Sequence, residues 1–378
     1  MTPGCKLKRE ALRLLKNAVR DYPGMFTRNF REKTMESWND WQRREEAGQK
    51  HYRHCELPQL KDGLTLLDLD FLSGFGETVH PDVLYAPNGW FRADWRYLMA
   101  LTPLPHGAEY FENPEFIVSA DGLDWHLPEG GRSPVVPAPG KWLGFNSDPS
   151  LMLVGDKLYL YYRDIREYAK NDVEVRVLLT TTSDGVNWTE PVSVISQHHD
   201  RKYPALLMSM SILDINGSYY MWYVSADHGE FRIFRRQSRD LYSWTETSIT
   251  VISGLEANEY PWHLDVVKDN NDELLMALCT SSSEHFRRKS LCFARSRDKG
   301  LSWNVGGPLL RPGWHGFGEA SLYRAALVKN GAGGMWRLYY SGQDMDKHWR
   351  TVAADIELRW NLESSSRLCD SIAKQSAV

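Results

Sequence analysis

Between residues 80 and 360 the chain repeats one arrangement of polar and apolar positions five times. Each copy opens on a polar, often ionisable residue. Two places later stands a small or acidic residue, followed by an apolar pair. The copies are His80-Pro81-Asp82-Val83-Leu84, Asp148-Pro149-Ser150-Leu151-Met152, Ser209-Met210-Ser211-Ile212-Leu213, His263-Leu264-Asp265-Val266-Val267 and Glu319-Ala320-Ser321-Leu322-Tyr323, and they begin 54 to 68 residues apart. A second apolar run follows each copy, for instance Leu158-Tyr159-Leu160-Tyr161-Tyr162 and Tyr219-Tyr220-Met221-Trp222-Tyr223. Gly155-Asp156, Asn216-Gly217 and Asn270-Asn271-Asp272 separate such pairs with residues that tolerate the positive φ of tight hairpins. Strand and turn repeated at this period predict an all-β, five-bladed β-propeller.

A further box recurs in phase. Ser119-Ala120-Asp121-Gly122-Leu123-Asp124-Trp125, Ser183-Asp184-Gly185-Val186-Asn187-Trp188 and Ser296-Arg297-Asp298-Lys299-Gly300-Leu301-Ser302-Trp303 share it, and Ser238 to Trp244 is a degenerate copy. It resembles the Asp-box turn of sialidases and related propellers. There Ser and Asp cap backbone N–H groups, Gly takes the left-handed position and Trp packs beneath. Such turns lie at the outer edge and report the fold.

Residues 61–362 are expected to form the propeller. Residues 64–72 alternate in polarity and are expected to supply the closing strand of the last blade, which removes two exposed edges. Residues 1–60 carry Ala11, Leu12, Leu14, Leu15, Ala18 and Val19 at helical spacing among basic residues, which predicts an N-terminal α-helical extension. That extension could cap the propeller or serve a protein partner or self-association. Residues 363–378, rich in Ser and charge, are expected to form a disordered tail.

A net charge of −4 gives no general attraction to nucleic acid or an anionic membrane surface, and no run of 18 apolar residues exists. The first ten residues lack the apolar core of a secretory signal. Five scattered cysteines without a CxxC pair suit reduced thiols and a cytoplasmic or virion-associated setting.

Inner strands of a propeller line its axis, and residues i and i+2 share a face. The repeat therefore stacks two layers there: His80, Asp148, Ser209, His263 and Glu319, then Asp82, Ser150, Ser211, Asp265 and Ser321. Burying six ionisable groups requires that they be paired, liganded or used. The Asp148-Pro149-Ser150-Leu151 segment resembles that of the arabinanase, levansucrase and invertase superfamily of five-bladed glycoside hydrolases. That resemblance implies Asp82 and Asp148 as base or nucleophile, Glu319 as acid, Asp265 as modulator, and an oligo- or polysaccharide substrate handled by paired carboxylates. It also implies a divalent cation on the axis, calcium in many members, near His80 and His263. A site of mixed imidazole and carboxylate equally suits zinc or manganese. His80, His263, Arg163, Trp90, Trp262, Trp314 and Arg324 are the expected sugar contacts. A glycan-binding propeller without chemistry and a protein-interaction scaffold are the alternatives.

Overall fold

The computed structural model describes residues 64–73, 76–139, 143–169, 172–199, 206–227, 230–255, 259–269, 273–282, 289–312, 317–329 and 336–356. The helices expected over 1–60, the tail at 363–378 and Trp314 lie outside them. The chain divides into two compact units, Leu60–Arg166 with Glu174–Val378, and Met1–Gln59 with Glu167–Val173. The first is the propeller. Among the described residues, helix is confined to two single 3-10 turns, Pro105–Gly107 and Glu109–Phe111. None of their helices is long and apolar enough to cross a membrane.

Five sheets form the blades, antiparallel but for one outer strand of blade 4. The first strand in the chain, β1 (Leu64–Leu66), belongs to the last blade. Blade 1 runs outward through β2 (Thr78–Tyr85), β3 (Tyr97–Pro103), β4 (Glu115–Ser119) and β5 (Trp125–His126). Blade 2 comprises β6 (Gly144–Val154), β7 (Lys157–Ala169), β8 (Asp172–Thr182) and β9 (Val192–His199). Blade 3 comprises β10 (Met208–Ile215), β11 (Ser218–Asp227), β12 (Glu230–Ser238) and β13 (Ser248–Ile249). The next strand, β14 (Val251–Ser253), pairs in parallel on the outside of blade 4, whose other strands are β15 (Glu259–Lys268), β16 (Leu274–Ser282), β17 (Lys289–Ser296) and β18 (Ser302–Leu310). Blade 5 comprises β19 (Ser321–Lys329), β20 (Trp336–Gln343) and β21 (Trp349–Ile356), completed by β1 in the register Leu64↔Ala354.

Apolar faces meet between blades. Val83, Tyr97, Met99 and Ile117 of blade 1 pack on Ala326, Tyr339 and Ala353 of blade 5, and Leu264, Met276 and Leu278 pack on Trp222 and Val224. The outer turns hold as their residue types require. Ser119 Oγ accepts the Gly122 N–H at 2.9 Å, and Asp121 Oδ1 accepts those of Leu123 and Asp124 at 2.8 and 2.9 Å. Asp184, Asp240 and Asp298 repeat this. In the second copy the hydroxyl comes from Thr182, not Ser183, because the capping group stands two residues before the Asp.

The deep axial layer ties the blades together. Asp82 Oδ2 accepts the Leu151 N–H of blade 2 at 2.7 Å. Ser211 Oγ accepts the Val266 N–H of blade 4 at 2.8 Å, and Asp265 Oδ2 accepts the Leu327 N–H of blade 5 at 2.9 Å. Arg324, wholly buried, donates to Asp82 Oδ1 at 2.7 Å, to the Pro149 carbonyl at 2.7 Å and to the Met210 carbonyl at 3.0 Å. One guanidinium on blade 5 thus reaches blades 1, 2 and 3.

Two stability outcomes follow from these contacts. Arg324→Met should lower unfolding free energy by about 3–5 kcal/mol in urea titrations, because it strips the buried Asp82 carboxyl of its counter-charge and leaves the Pro149 and Met210 carbonyls without their donor. Gly300 sits at φ 74°, and an added Cβ would lie 2.4 Å from Trp222 Nε1. Gly217 has a similar φ of 78° with nothing within 4 Å. Gly300→Ala should therefore cost about 2 kcal/mol or more and Gly217→Ala about 1 kcal/mol, and equal costs would show that the Trp222 contact is irrelevant.

Candidate active site

One layer above Arg324, bulges aim side chains at the axis. On β2 the pairing register jumps between Val79 and Asp82, on β6 between Ser147 and Ser150, on β10 between Met208 and Ser211, and on β19 between Leu322 and Ala325. His80, Asp148 and Ser209, the first skipped residues, hold φ of 59°, 50° and 54°. Left-handed backbone costs a non-glycine residue about 1–2 kcal/mol, and it persists where the surroundings enforce it. The second skipped residue faces no ladder partner, so Pro81 and Pro149 fit without losing a hydrogen bond.

By this bulge count, the blade 5 residue equivalent to His80 is Tyr323, and the equivalent of Asp82 is Ala325. The sequence repeat placed Glu319 and Ser321 there, two pairs of residues too early. Glu319 is instead exposed in the bend before β19 and is not in the buried set. The shift arises because Tyr323-Arg324-Ala325-Ala326-Leu327 carries the pattern with an apolar residue at its third place.

Asp148 is fully buried. Its Oδ2 is engaged by Arg163 Nη2 at 3.1 Å and by the Ser147 hydroxyl at 3.2 Å, and Arg163 Nε donates to that hydroxyl at 2.9 Å. Its Oδ1 faces His263 Nδ1 at 3.1 Å and His80 Nε2 at 3.7 Å. Neither approach has hydrogen-bond geometry, and Asp148 Oδ1, His80 Nε2 and both His263 ring nitrogens are buried without a hydrogen-bond partner among the described residues. The ligand atoms of His80, Asp148 and His263 lie within 4.8 Å of one another. His80 Nδ1 is held by the Thr102 hydroxyl at 2.9 Å, which fixes the ring and leaves Nε2 pointing inward.

Electrostatics complement this geometry. Burial works to raise the Asp148 carboxyl, but the Arg163 guanidinium and the two imidazoles overcome it and hold the group well below the usual carboxylate range. Burial pushes His80 well below its ordinary value and His263 down to about 4, against the pull of Asp148. Both imidazoles are therefore neutral at pH 7, the form in which histidine binds a metal. Two neutral imidazoles and one carboxylate, converging with unfilled lone pairs, fit a divalent cation of the zinc or manganese type. Calcium, which prefers a shell of oxygens, matches the donor set less well.

Tyr323 closes the layer, its ring 4.4 Å from that of His263 and 5.1 Å from that of His80. Burial, aided by the charges of Asp148 and Glu112, keeps the phenol protonated. Lys289 Nζ lies 4.9 Å from the Tyr323 ring centre and 5.3 Å from that of Trp262, and burial lowers its pKa. Trp262 also meets His263 at 6.1 Å.

Of the residues singled out from sequence, His80, Asp148, Arg163, His263 and Trp262 are brought together. Asp82, Asp265 and Arg324 form the layer beneath, where burial raises both carboxyls and the shared guanidinium offsets it. Trp90 does not reach the axis. It packs on Trp95 and Phe116 between blades 1 and 2 and donates to the Asp156 carbonyl at 3.0 Å. Tyr323 and Lys289 had no role assigned from sequence. The Pro-marked bulges of β2 and β6 were the available signal for Tyr323, whereas nothing local distinguishes Lys289.

No family model matches the chain. It is 24% identical over 323 residues to the A type blood N-acetyl-alpha-D-galactosamine deacetylase of Flavonifractor plautii, covering 73% of this chain and 41% of that protein. The chain thus spans about two fifths of the length of this curated relative. The crystal structure of an N-acetylgalactosamine deacetylase from F. plautii in complex with blood group B trisaccharide superposes with a TM-score of 0.69 at 20% identity, over 84% of this chain and 99% of the other. A thermostable family-43 glycoside hydrolase superposes at 0.53 with 13% identity, over 78% and 93%. The fold is therefore a five-bladed propeller whose structural neighbours include glycoside hydrolases.

Proposed function

We propose that the chain is a carbohydrate-active hydrolase that removes the acetyl group from an N-acetylated amino sugar. Convergence of buried ligand atoms from His80, Asp148 and His263, without hydrogen-bond partners among the described residues, carries this assignment. The deacetylase relative supplies the substrate class. Hydrolysis of an acetamide adds water across the C–N bond, giving acetate and a free amine. A bound divalent cation would supply Lewis acidity for the carbonyl and make water a better nucleophile near neutral pH.

The protein's own groups serve the remaining needs. Arg163 and Ser147 occupy one oxygen of Asp148, so the other is held in place before any ligand arrives. Tyr323 stays protonated and is suited to donate a hydrogen bond to the oxyanion that develops on the acetyl oxygen. Trp262 offers a face for a sugar ring.

Paired-carboxylate glycoside hydrolysis needs two carboxyl groups across an open gap, about 5 to 9 Å apart. Here Asp82 and Asp265 are spent on backbone N–H groups and Glu319 is exposed, which leaves Asp148 alone among the named acids facing the two imidazoles.

With an oligosaccharide ending in N-acetylgalactosamine, added zinc or manganese should yield acetate and a primary amine in equal amounts. Asp148→Asn and His263→Gln should each lower the rate about 100-fold or more, and chelation should abolish it. Release of a reducing sugar in place of acetate would sink the deacetylase assignment, as would binding without turnover.

Acid should also unfold the metal-free protein early. His263 binds its proton near pH 4 when folded and near 6.5 when unfolded, so between these values the unfolded state holds more protons and stability falls as pH drops. Asp148, depressed in the folded state, adds to the loss below its ordinary range. His263 alone should contribute a decline of about 3 kcal/mol, read from urea midpoints between pH 7 and 4 and absent in His263→Gln.

A further inference from the structure

Glu77, buried just before β2, repeats the construction of Asp148 at a second place. Its Oε2 accepts the His106 N–H at 3.0 Å and lies 3.5 Å from the Trp349 nitrogen. Its Oε1 is hydrogen-bonded to His348 Nδ1 at 2.9 Å and lies 3.6 Å from His106 Nδ1. The ligand atoms of Glu77, His106 and His348 lie within 4.8 Å of one another. In both places, one carboxylate oxygen is clamped by donors and the other is presented to a pair of ring nitrogens.

Three separate segments build this cluster. Glu77 leads into the inner strand of blade 1, His106 belongs to the 3-10 turn after β3, and His348 ends the β20–β21 connection of blade 5. His106 holds φ 55° and ψ 22°, left-handed backbone that a non-glycine residue keeps only under constraint. Asp344 Oδ1 accepts the His348 N–H at 2.8 Å, and Arg350 donates to the Trp349 carbonyl at 2.9 Å.

We propose that Glu77, His106 and His348 form a second divalent-cation site, of the zinc class, that clamps blade 1 to blade 5 where the ring closes. Two imidazole nitrogens and one carboxylate oxygen are a ligand set that zinc accepts. Burial opposes ionisation of Glu77, but the His348 hydrogen bond and both imidazoles hold it down to about 2, so the carboxylate is charged. Without metal, the 2.9 Å hydrogen bond between His348 Nδ1 and Glu77 Oε1 fills the position the cation would take. The site is distinct from the axial one. Trp349, the residue after His348, packs on Val79, Leu104 and Tyr323, with the Tyr323 ring 5.4 Å away. Filling the second site would brace Trp349 and, through it, Tyr323.

Zinc titration of the full chain by calorimetry, with metal content after dialysis, tests this independently of the deacetylase assignment. His263→Gln weakens the axial site and should still retain one equivalent of zinc, with zinc still raising its melting temperature. Adding His106→Gln and His348→Gln should remove that equivalent and the thermal shift. Anomalous diffraction at the zinc edge from His263→Gln crystals needs no substitution at the new site. A peak within coordinating distance of Glu77, His106 and His348 is expected. Its absence there, or loss of all bound zinc in His263→Gln, would overturn the proposal.

Discussion

The propeller depends on one buried guanidinium. Inner strands converge on an axis where water is scarce, so the polar groups they turn inward need partners from other blades. Arg324 meets this need for four strands at once, donating to a carboxylate of blade 1 and to carbonyls of blades 2 and 3 from its place on blade 5. A buried cation is tolerated only when its donors are well satisfied and its charge is opposed. Asp82 binds it directly and Asp265 opposes its charge nearby; Asp82 gives its other oxygen to the backbone of the next blade, and Asp265 divides its oxygens between the Ser211 hydroxyl and the next blade's backbone. The Asp-Arg-Asp group is therefore a fastening for the ring.

That fastening sets the stage for the layer above. The carbonyls that Arg324 binds belong to Pro149 and Met210, the residues immediately after Asp148 and Ser209 in their bulges. Holding those carbonyls helps keep the preceding residues in the left-handed conformation that turns their side chains to the axis. Carboxylates at two depths acquire different work from this arrangement. The deep pair is saturated with hydrogen bonds, whereas Asp148 has one oxygen clamped and one open to His263 and His80. Glu77, at the seam between the first and last blades, also turns one oxygen to backbone and the other to imidazole, there with a hydrogen bond to His348.

Much of this architecture was legible because its causes are local. Strand pairs, hairpin turns and the Ser-x-Asp turns each depend on a few neighbouring residues, and their recurrence gave the blade count. His80, Asp148 and His263 stood out because ionisable residues opening apolar strands require an explanation. The fifth blade was misjudged for an equally physical reason. Ala325 replaces the polar residue that marked the other copies, so the pattern slid to Glu319-Ala320-Ser321. Trp90 followed the general association of aromatics with sugar sites, but the wedge between blades 1 and 2 also needs large rings.

The sequence by itself determined the class of fold, the number of blades and, in the first four blades, the residues that face inward, since period-two alternation and turn chemistry act between near neighbours. Only the tertiary structure decided which inward residues share a depth and which oxygen of each carboxylate is left open. Those choices depend on bulges that shift register by whole residues, and on Arg324 meeting Asp82 across 242 positions of chain. No local pattern encodes a contact of that separation.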